Sequence, residues 1–366
     1  MTHGKRLMSR LLAATLGAAA LPALAASAGS GDSAAAPVTP PVTPAAAPPA
    51  TRLPLVLSAT IPLPDITGGD FDHFAVDAKR GLLYVSAEIY GSIEVFSLRS
   101  GKHLRSVTNV AKHPHKIELL DDGRTLLVAD AGDAACLVVS TDTWRVRKRL
   151  PMVPQPDTGV LDAAHGLFYL GNGGVRSHAD HAYVSVLSTR AVVPVGRIDV
   201  PGGTLKAMAI DPAAHRLFVN LRDRNAVAVI DLRTRRVLTT WPVPGPSVNS
   251  AMGLDAAGGR LFIGSRNPGK LFVLNSRDGT VRSVRDIVDV SDDMTYDAAH
   301  QRLYVSGAGG VDVVDTRAGD GYKLLQHVDT FGGKTSVYVP ALRKFFVVHT
   351  KGPQAPQAAL QVFDVQ

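Results

Sequence analysis

The chain has 366 residues, a formal net charge of +7, 45% hydrophobic and 6% aromatic residues, with 34 Gly, 24 Pro and a single Cys. That much apolar sequence excludes a wholly disordered chain. One cysteine excludes an internal disulfide framework and any zinc or iron–sulfur centre built on several thiolates.

Lys5, Arg6 and Arg10 precede an apolar Ala/Leu stretch from Leu11 to Leu24, and Ala23-Leu24-Ala25 fits the small-x-small cleavage rule. Residues 1–25 read as a signal peptide cut after Ala25, with an uncleaved anchor as the alternative. The stretch is short and Ala-rich for a bilayer span, so no span is expected to remain after cleavage and the expected location is periplasmic or secreted. No Cys lies near the cut, which argues against a lipid anchor. Cleavage takes the basic count from 39 to 36 against 32 acidic residues, a net +4. That mild excess contains no block of like charges, so nucleic acid is not an expected partner. Residues 26–51 are an Ala/Pro-rich linker, too poor in large apolar residues to bury a core; they read equally as a tether or a featureless leader.

Past residue 52 the chain repeats. Each unit has an Asp or Pro anchor, a turn, and a short β-branched and aromatic run: Asp77…Leu83-Tyr84-Val85, Asp121…Leu127-Val128-Ala129, Asp162…Phe168-Tyr169-Leu170, Asp211…Leu217-Phe218-Val219, Asp255…Leu261-Phe262-Ile263, Asp297…Leu303-Tyr304-Val305 and Pro340…Phe346-Val347-Val348. The anchors are spaced by 44, 41, 49, 44, 42 and 43 residues, the period of propeller blades. In the first unit Phe74–Val76, Leu82–Ser86, Ser92–Leu98 and His103–Thr108 read as strands a, b, c and d, separated by small turn residues. The last unit stops after three strands, at Leu360–Val365, and the early run Leu55–Ile61 has no unit of its own. The predicted fold is therefore all-β: a seven-bladed propeller over 52–366, with four-stranded antiparallel blades and a ring closed by the N-terminal strand pairing with the last blade.

The strand-b texts Leu83-Tyr84-Val85-Ser86-Ala87, Leu303-Tyr304-Val305-Ser306-Gly307 and Leu217-Phe218-Val219-Asn220, with His113-Pro114-His115-Lys116-Ile117 before one strand a, resemble the repeats of the YVTN (YncE-like) seven-bladed propeller family. The resemblance covers residues 53–366. It implies the propeller fold and export. It leaves function open, because that family includes binding proteins, S-layer-associated proteins and relatives of lactonase propellers, and nucleic-acid binding is known for a YncE-like relative.

In a propeller strand a lines the channel, so residues four to six places before each anchor point at a common mouth. That window offers Asp72 and His73, then His115 with His113 at the rim, Asp157, Lys206, Asn249, Asp292 and Asp293, and Lys334 with Thr335. Such a ring has the donors for an anionic ligand or a divalent metal ion, and it also fits a merely solvated funnel. The b–c loops add Glu88, Arg222, Arg224, Arg266, Lys270, His349 and Lys351 around the rim. The longest spacing places His178, Asp180 and His181 in one loop, permitted metal ligands that need a further donor from elsewhere. No G-x-S-x-G elbow, H-E-x-x-H, P-loop or C-x-x-C-H motif occurs. Cys136, Trp144 and Trp241 read as packing residues.

The preferred function is a monomeric binding or scaffold protein that takes a periplasmic or cell-envelope protein, a glycan or a small molecule at its channel mouth. No cofactor is required by the sequence. The alternative is a metal-assisted hydrolase of the lactonase type, with His73, His115, Asp157, Asn249, Asp292 and Asp293 around the cation.

Overall fold

In the computed structural model, residues 52–120, 122–174, 181–245, 247–317 and 321–366 are described. They form seven four-stranded antiparallel sheets. Strands a, which lie innermost, are Phe71–Asp77, Pro114–Leu119, Pro156–Asp162, Leu205–Asp211, Asn249–Asp255, Asp293–Asp297 and Thr335–Val339 for blades one to seven. Each of them touches strand a of the next blade, and that of blade seven touches that of blade one, so the sheets form a closed ring. The fold expected from the repeat is the fold observed. Among the described residues no helix is long and apolar enough to cross a membrane.

The blade text follows from burial on both faces of strand b. Side chains alternate along a strand. Leu83 and Val85 enter the core shared with blade seven, while Tyr84 between them enters the core shared with blade two. Leu303 and Val305 face blade five, and Tyr304 faces blade seven. Strands buried on both sides read as continuous apolar runs. The apolar core is accordingly divided into seven clusters, one at each interface between adjacent blades. Cys136 is a fully buried part of the cluster between blades two and three, and burial pushes its thiol up to about 12, so it acts as an apolar filler. Trp241 stacks against Phe218 at the interface of blades four and five.

The anchor aspartates close the a–b turns. Asp77, Asp211 and Asp255 each accept a backbone N–H from the residue three places on, the hydrogen bond that makes Asp a turn former. Asp121 lies outside the described residues. Blade seven uses a short 3-10 turn, Pro340–Leu342, at this point. An arginine in the a–b turn or at the start of strand b then ties several blades to the next one. Arg80 donates to Thr141 Oγ1, Arg216 to the Ser276 carbonyl, Arg260 to the Thr316 carbonyl and Arg302 to the terminal Gln366 carbonyl.

The ring closes as expected. Strand Leu55–Leu63 runs antiparallel to Ala358–Val365, with Leu55 opposite Val365 and Leu63 opposite Ala358. Its ends, Leu55 and Leu63, are buried, while its middle faces outward. Gln326 of blade six clamps the start of this strand, with Oε1 accepting from the Leu55 N–H and Nε2 donating to the Leu55 carbonyl.

Candidate functional site

At one end of the channel all seven blades contribute to a polar cavity of about 270 Å³. Blade one supplies Asp70, Asp72 and Glu88, blade two His115, and blade three Gln155 and Asp157. Blade four supplies Lys206 and Arg222, blade five Arg266, blade six Asp292 and blade seven Lys334. A narrower void of about 30 Å³, enough for about two waters, shares Asp72, Asp157, Lys206 and Asp292 with the mouth and adds His73 and Asp293.

The last residue of the Leu-aromatic-Val-polar text positions these groups. Ser86 Oγ donates to the His115 carbonyl and accepts from the His73 N–H. Asn220 Nδ2 donates to the carbonyls of Ser250 and Ala251, and the Ser306 hydroxyl bonds that of Ser336. Each of these links fixes strand a of the following blade, so the channel side chains stand on a framework cross-linked from blade to blade.

The mouth is a set of charge pairs between blades. His115 Nδ1 lies 2.7 Å from Asp72 Oδ2 and 3.5 Å from Asp157 Oδ1, and its Nε2 lies 3.5 Å from Glu88 Oε1. Burial opposes its imidazolium, but the Asp72 hydrogen bond and the charges of Asp72, Asp157 and Glu88 push its pKa up to about 9. Burial would raise the Asp72 carboxyl, yet His73 and His115 outweigh it and hold the group well below the usual carboxylate range. Lys206 Nζ donates to Asp157 Oδ2 at 2.7 Å; burial opposes its charge, and Asp157, Asp72 and Asp292 override that and raise its pKa. Lys334 pairs with Asp70, and Asp292 accepts from Ser250 Oγ at 3.0 Å. Deeper in the channel, burial pushes the Asp293 carboxyl up to about 7, although the His73 charge and a hydrogen bond from the Ser336 N–H pull the other way.

Arg222 stands apart. Among the described residues no carboxylate comes within 4.0 Å of its guanidinium, and it donates no side-chain hydrogen bond. Burial and the neighbouring Arg266 lower its pKa, with Asp292 and Asp157 acting against them.

The structure brings most of the expected residues together. Asp72, His115, Asp157, Lys206, Asp292 and Lys334 line the mouth, and His73 and Asp293 line the void beneath it. Asn249 is placed differently: it is fully buried and donates from Nδ2 to Asn220 Oδ1 at 2.7 Å and to the Ala226 carbonyl at 3.0 Å, pinning blades together. Thr335 likewise donates to the Phe71 carbonyl. His113 is outside the cavity lining, and its backbone N–H bonds Asp130 Oδ1. His178 and Asp180 lie outside the described residues; His181 is exposed and borders a separate shallow cleft with Arg224. Asp70 and Gln155 line the mouth although the sequence window omitted them. Each sits seven places before its anchor, one residue beyond that window.

One group of the mouth has the donor set for a cation. Single ligand atoms of Asp72, His115 and Asp157 all lie within 4.8 Å of one another. Two positive groups of the chain itself, the His115 imidazolium and the Lys206 ammonium, already neutralise these carboxylates.

No family model matches the chain, and no curated protein does so either. Solved structures share its fold. A chain of the hydrazine synthase of Kuenenia stuttgartiensis superposes with a TM-score of 0.62 at 16% identity, over 75% of this chain and 91% of that one. A chain of a mitotic checkpoint complex does so with a TM-score of 0.69 at 12% identity, over 91% of this chain and 99% of that one. At such identities the likeness is one of fold alone. The chain is a seven-bladed β-propeller with a charged, cross-linked channel mouth.

Proposed function

We propose that this chain is an exported propeller of the YVTN type that binds a ligand at its channel mouth. The supporting observation is the convergence of charged side chains from all seven blades on one cavity of about 270 Å³. A concave site with several convergent polar groups and perturbed titration is the default place for a ligand. The rigid ring holds these groups with little rearrangement, so ordering on binding costs little. The Lys/Arg-poor apolar run before Ala25 and the Leu-aromatic-Val-polar repeats support export and the family assignment. The test is an inventory of small molecules, metals and crosslinked partners on the native processed protein. A stoichiometric companion supports binding; none under several conditions overturns it.

A second reading is a metal-assisted hydrolase, favoured by the Asp72–His115–Asp157 grouping. A divalent ion there would polarise a carbonyl or activate water. It would first displace the proton held on His115, whose pKa of about 9 sets that competition. Metal affinity on this reading rises steeply from pH 7 to pH 9. Thermal shifts with added divalent ions across that range test it, and a shift absent at every pH removes it.

A further inference from the structure

Resting on the binding reading, we infer that Arg222 and Arg266 form a subsite for the carboxylate of a small, polar organic monoanion. The argument begins with pairing. Among the described residues the mouth holds five carboxylates, of Asp70, Asp72, Glu88, Asp157 and Asp292, and four Lys or Arg cations besides His115. Asp70 takes Lys334, Asp157 takes Lys206, and Asp72 takes His115. Asp292 is hydrogen-bonded by Ser250, with Lys334 at 3.8 Å and Arg266 at 3.7 Å. Among the described residues Arg222 is left with no such partner, half-buried, in the same cavity as a second guanidinium.

A cation in that position is destabilised by burial and by its like-charged neighbour. An oxyanion between the two would relieve both, and guanidinium forks match a carboxylate in two-point geometry. The charge of the guest is limited by the surroundings. Asp292 and Asp157 both act on Arg222 itself, so a negative charge beyond the one the two guanidinium groups take up meets repulsion from these carboxylates. The body of the guest is polar and small. Phe71, Pro156 and Ala131 are the apolar side chains in the lining, and the cavity of about 270 Å³ lies at or below the size of ordinary small-molecule pockets. Hydroxyl or amine donors on that body would face Glu88, Asp292 and Gln155.

The experiment is calorimetric titration of the purified full-length chain with acetate, lactate and pyruvate, with citrate and inorganic phosphate as multiply charged comparisons. At least one monocarboxylate is expected to bind, more tightly than phosphate or citrate. Arg222→Gln and Arg266→Gln are each expected to weaken it by about tenfold or more. Arg224→Gln, at the separate cleft, is expected to leave it unchanged. Arg222→Gln is also expected to leave the ligand-free melting temperature unchanged or higher, so that loss of binding is not loss of fold. Equal affinity in Arg222→Gln and the parent chain overturns the subsite, as does tighter binding of phosphate or citrate. A native companion that is neutral or cationic overturns the subsite and leaves the binding reading standing. Absence of both a companion and any anion binding overturns the two together.

Discussion

His115 on blade two and Asp72 on blade one meet across their interface at 2.7 Å, at the mouth of the channel. The pair fixes the protonation of the site. Below pH about 9 the imidazole is charged, and it sits between three carboxylates. Asp72→Asn removes its nearest counter-charge, so the His115 pKa is expected to fall from about 9 toward its ordinary 6.5. Proton NMR titration of the imidazole reads this directly; an unmoved midpoint would show that Asp72 is not the cause. The sign for stability follows. A raised pKa in the folded state adds stability that is complete below 6.5 and is lost as pH rises through 9. The amount is about 1–3 kcal/mol, and it is smaller in Asp72→Asn, where Asp157 and Glu88 remain.

Asp293 runs in the same direction for the opposite chemical reason. Its burial favours the neutral acid, with a pKa near 7 against an ordinary 3.8. The unfolded chain releases this proton first as pH rises, so stability falls between pH 4 and pH 7 by about 1–4 kcal/mol. Asp293→Asn keeps an acceptor for the Ser336 N–H and has no proton to lose. The variant is expected to show a smaller drop in melting temperature from pH 4 to pH 7 than the parent. Parallel curves for the two chains would mean that Asp293 titrates normally.

The closure of the ring admits a covalent test. Val56 and Asp364 are opposite one another in the pairing of first and last strands, and neither is buried. The single natural thiol, Cys136, is fully buried and cannot compete. A chain with Val56→Cys and Asp364→Cys is expected to form a disulfide in mild oxidant and gain about 2–4 kcal/mol over its reduced form. If the two thiols stay free in the folded protein, the first strand does not lie where the register puts it.

Much of this architecture is visible in the sequence because burial is periodic. A strand b with both faces in apolar cores has to be apolar at successive positions, and most of the repeating a–b turns close on an Asp. The mouth is only partly visible. Distance from the anchor finds strand a, and so it finds Asp72, His115, Asp157 and Lys206. It does not say which way a side chain points at the strand's first residue, which is where Asn249 turned away. Nor does it say which rim charges lack a partner among the described residues. Arg222 and Arg224 stand two residues apart on one turn, but Arg224 pairs with Asp223 and only Arg222 enters the mouth. Those outcomes depend on neighbouring blades, whose contacts no local pattern records.

Asn249 and Asn220 give the sharpest separation of framework from site. The two amides bond each other at 2.7 Å in the interior, and Asn220 also serves the carbonyls of Ser250 and Ala251. Both side chains are fully buried. Asn220→Ala leaves two carbonyls of blade five and the Asn249 amide short of partners, and buried polar groups without partners cost about 1–3 kcal/mol each. A loss of about 2–4 kcal/mol is expected for Asn220→Ala and a somewhat smaller one for Asn249→Ala. Affinity at the mouth is expected to be unchanged in Asn249→Ala at temperatures where the fold holds. Denaturant melts together with ligand titration decide the matter. If Asn249→Ala kept full stability and lost the ligand, the residue would belong to the site after all.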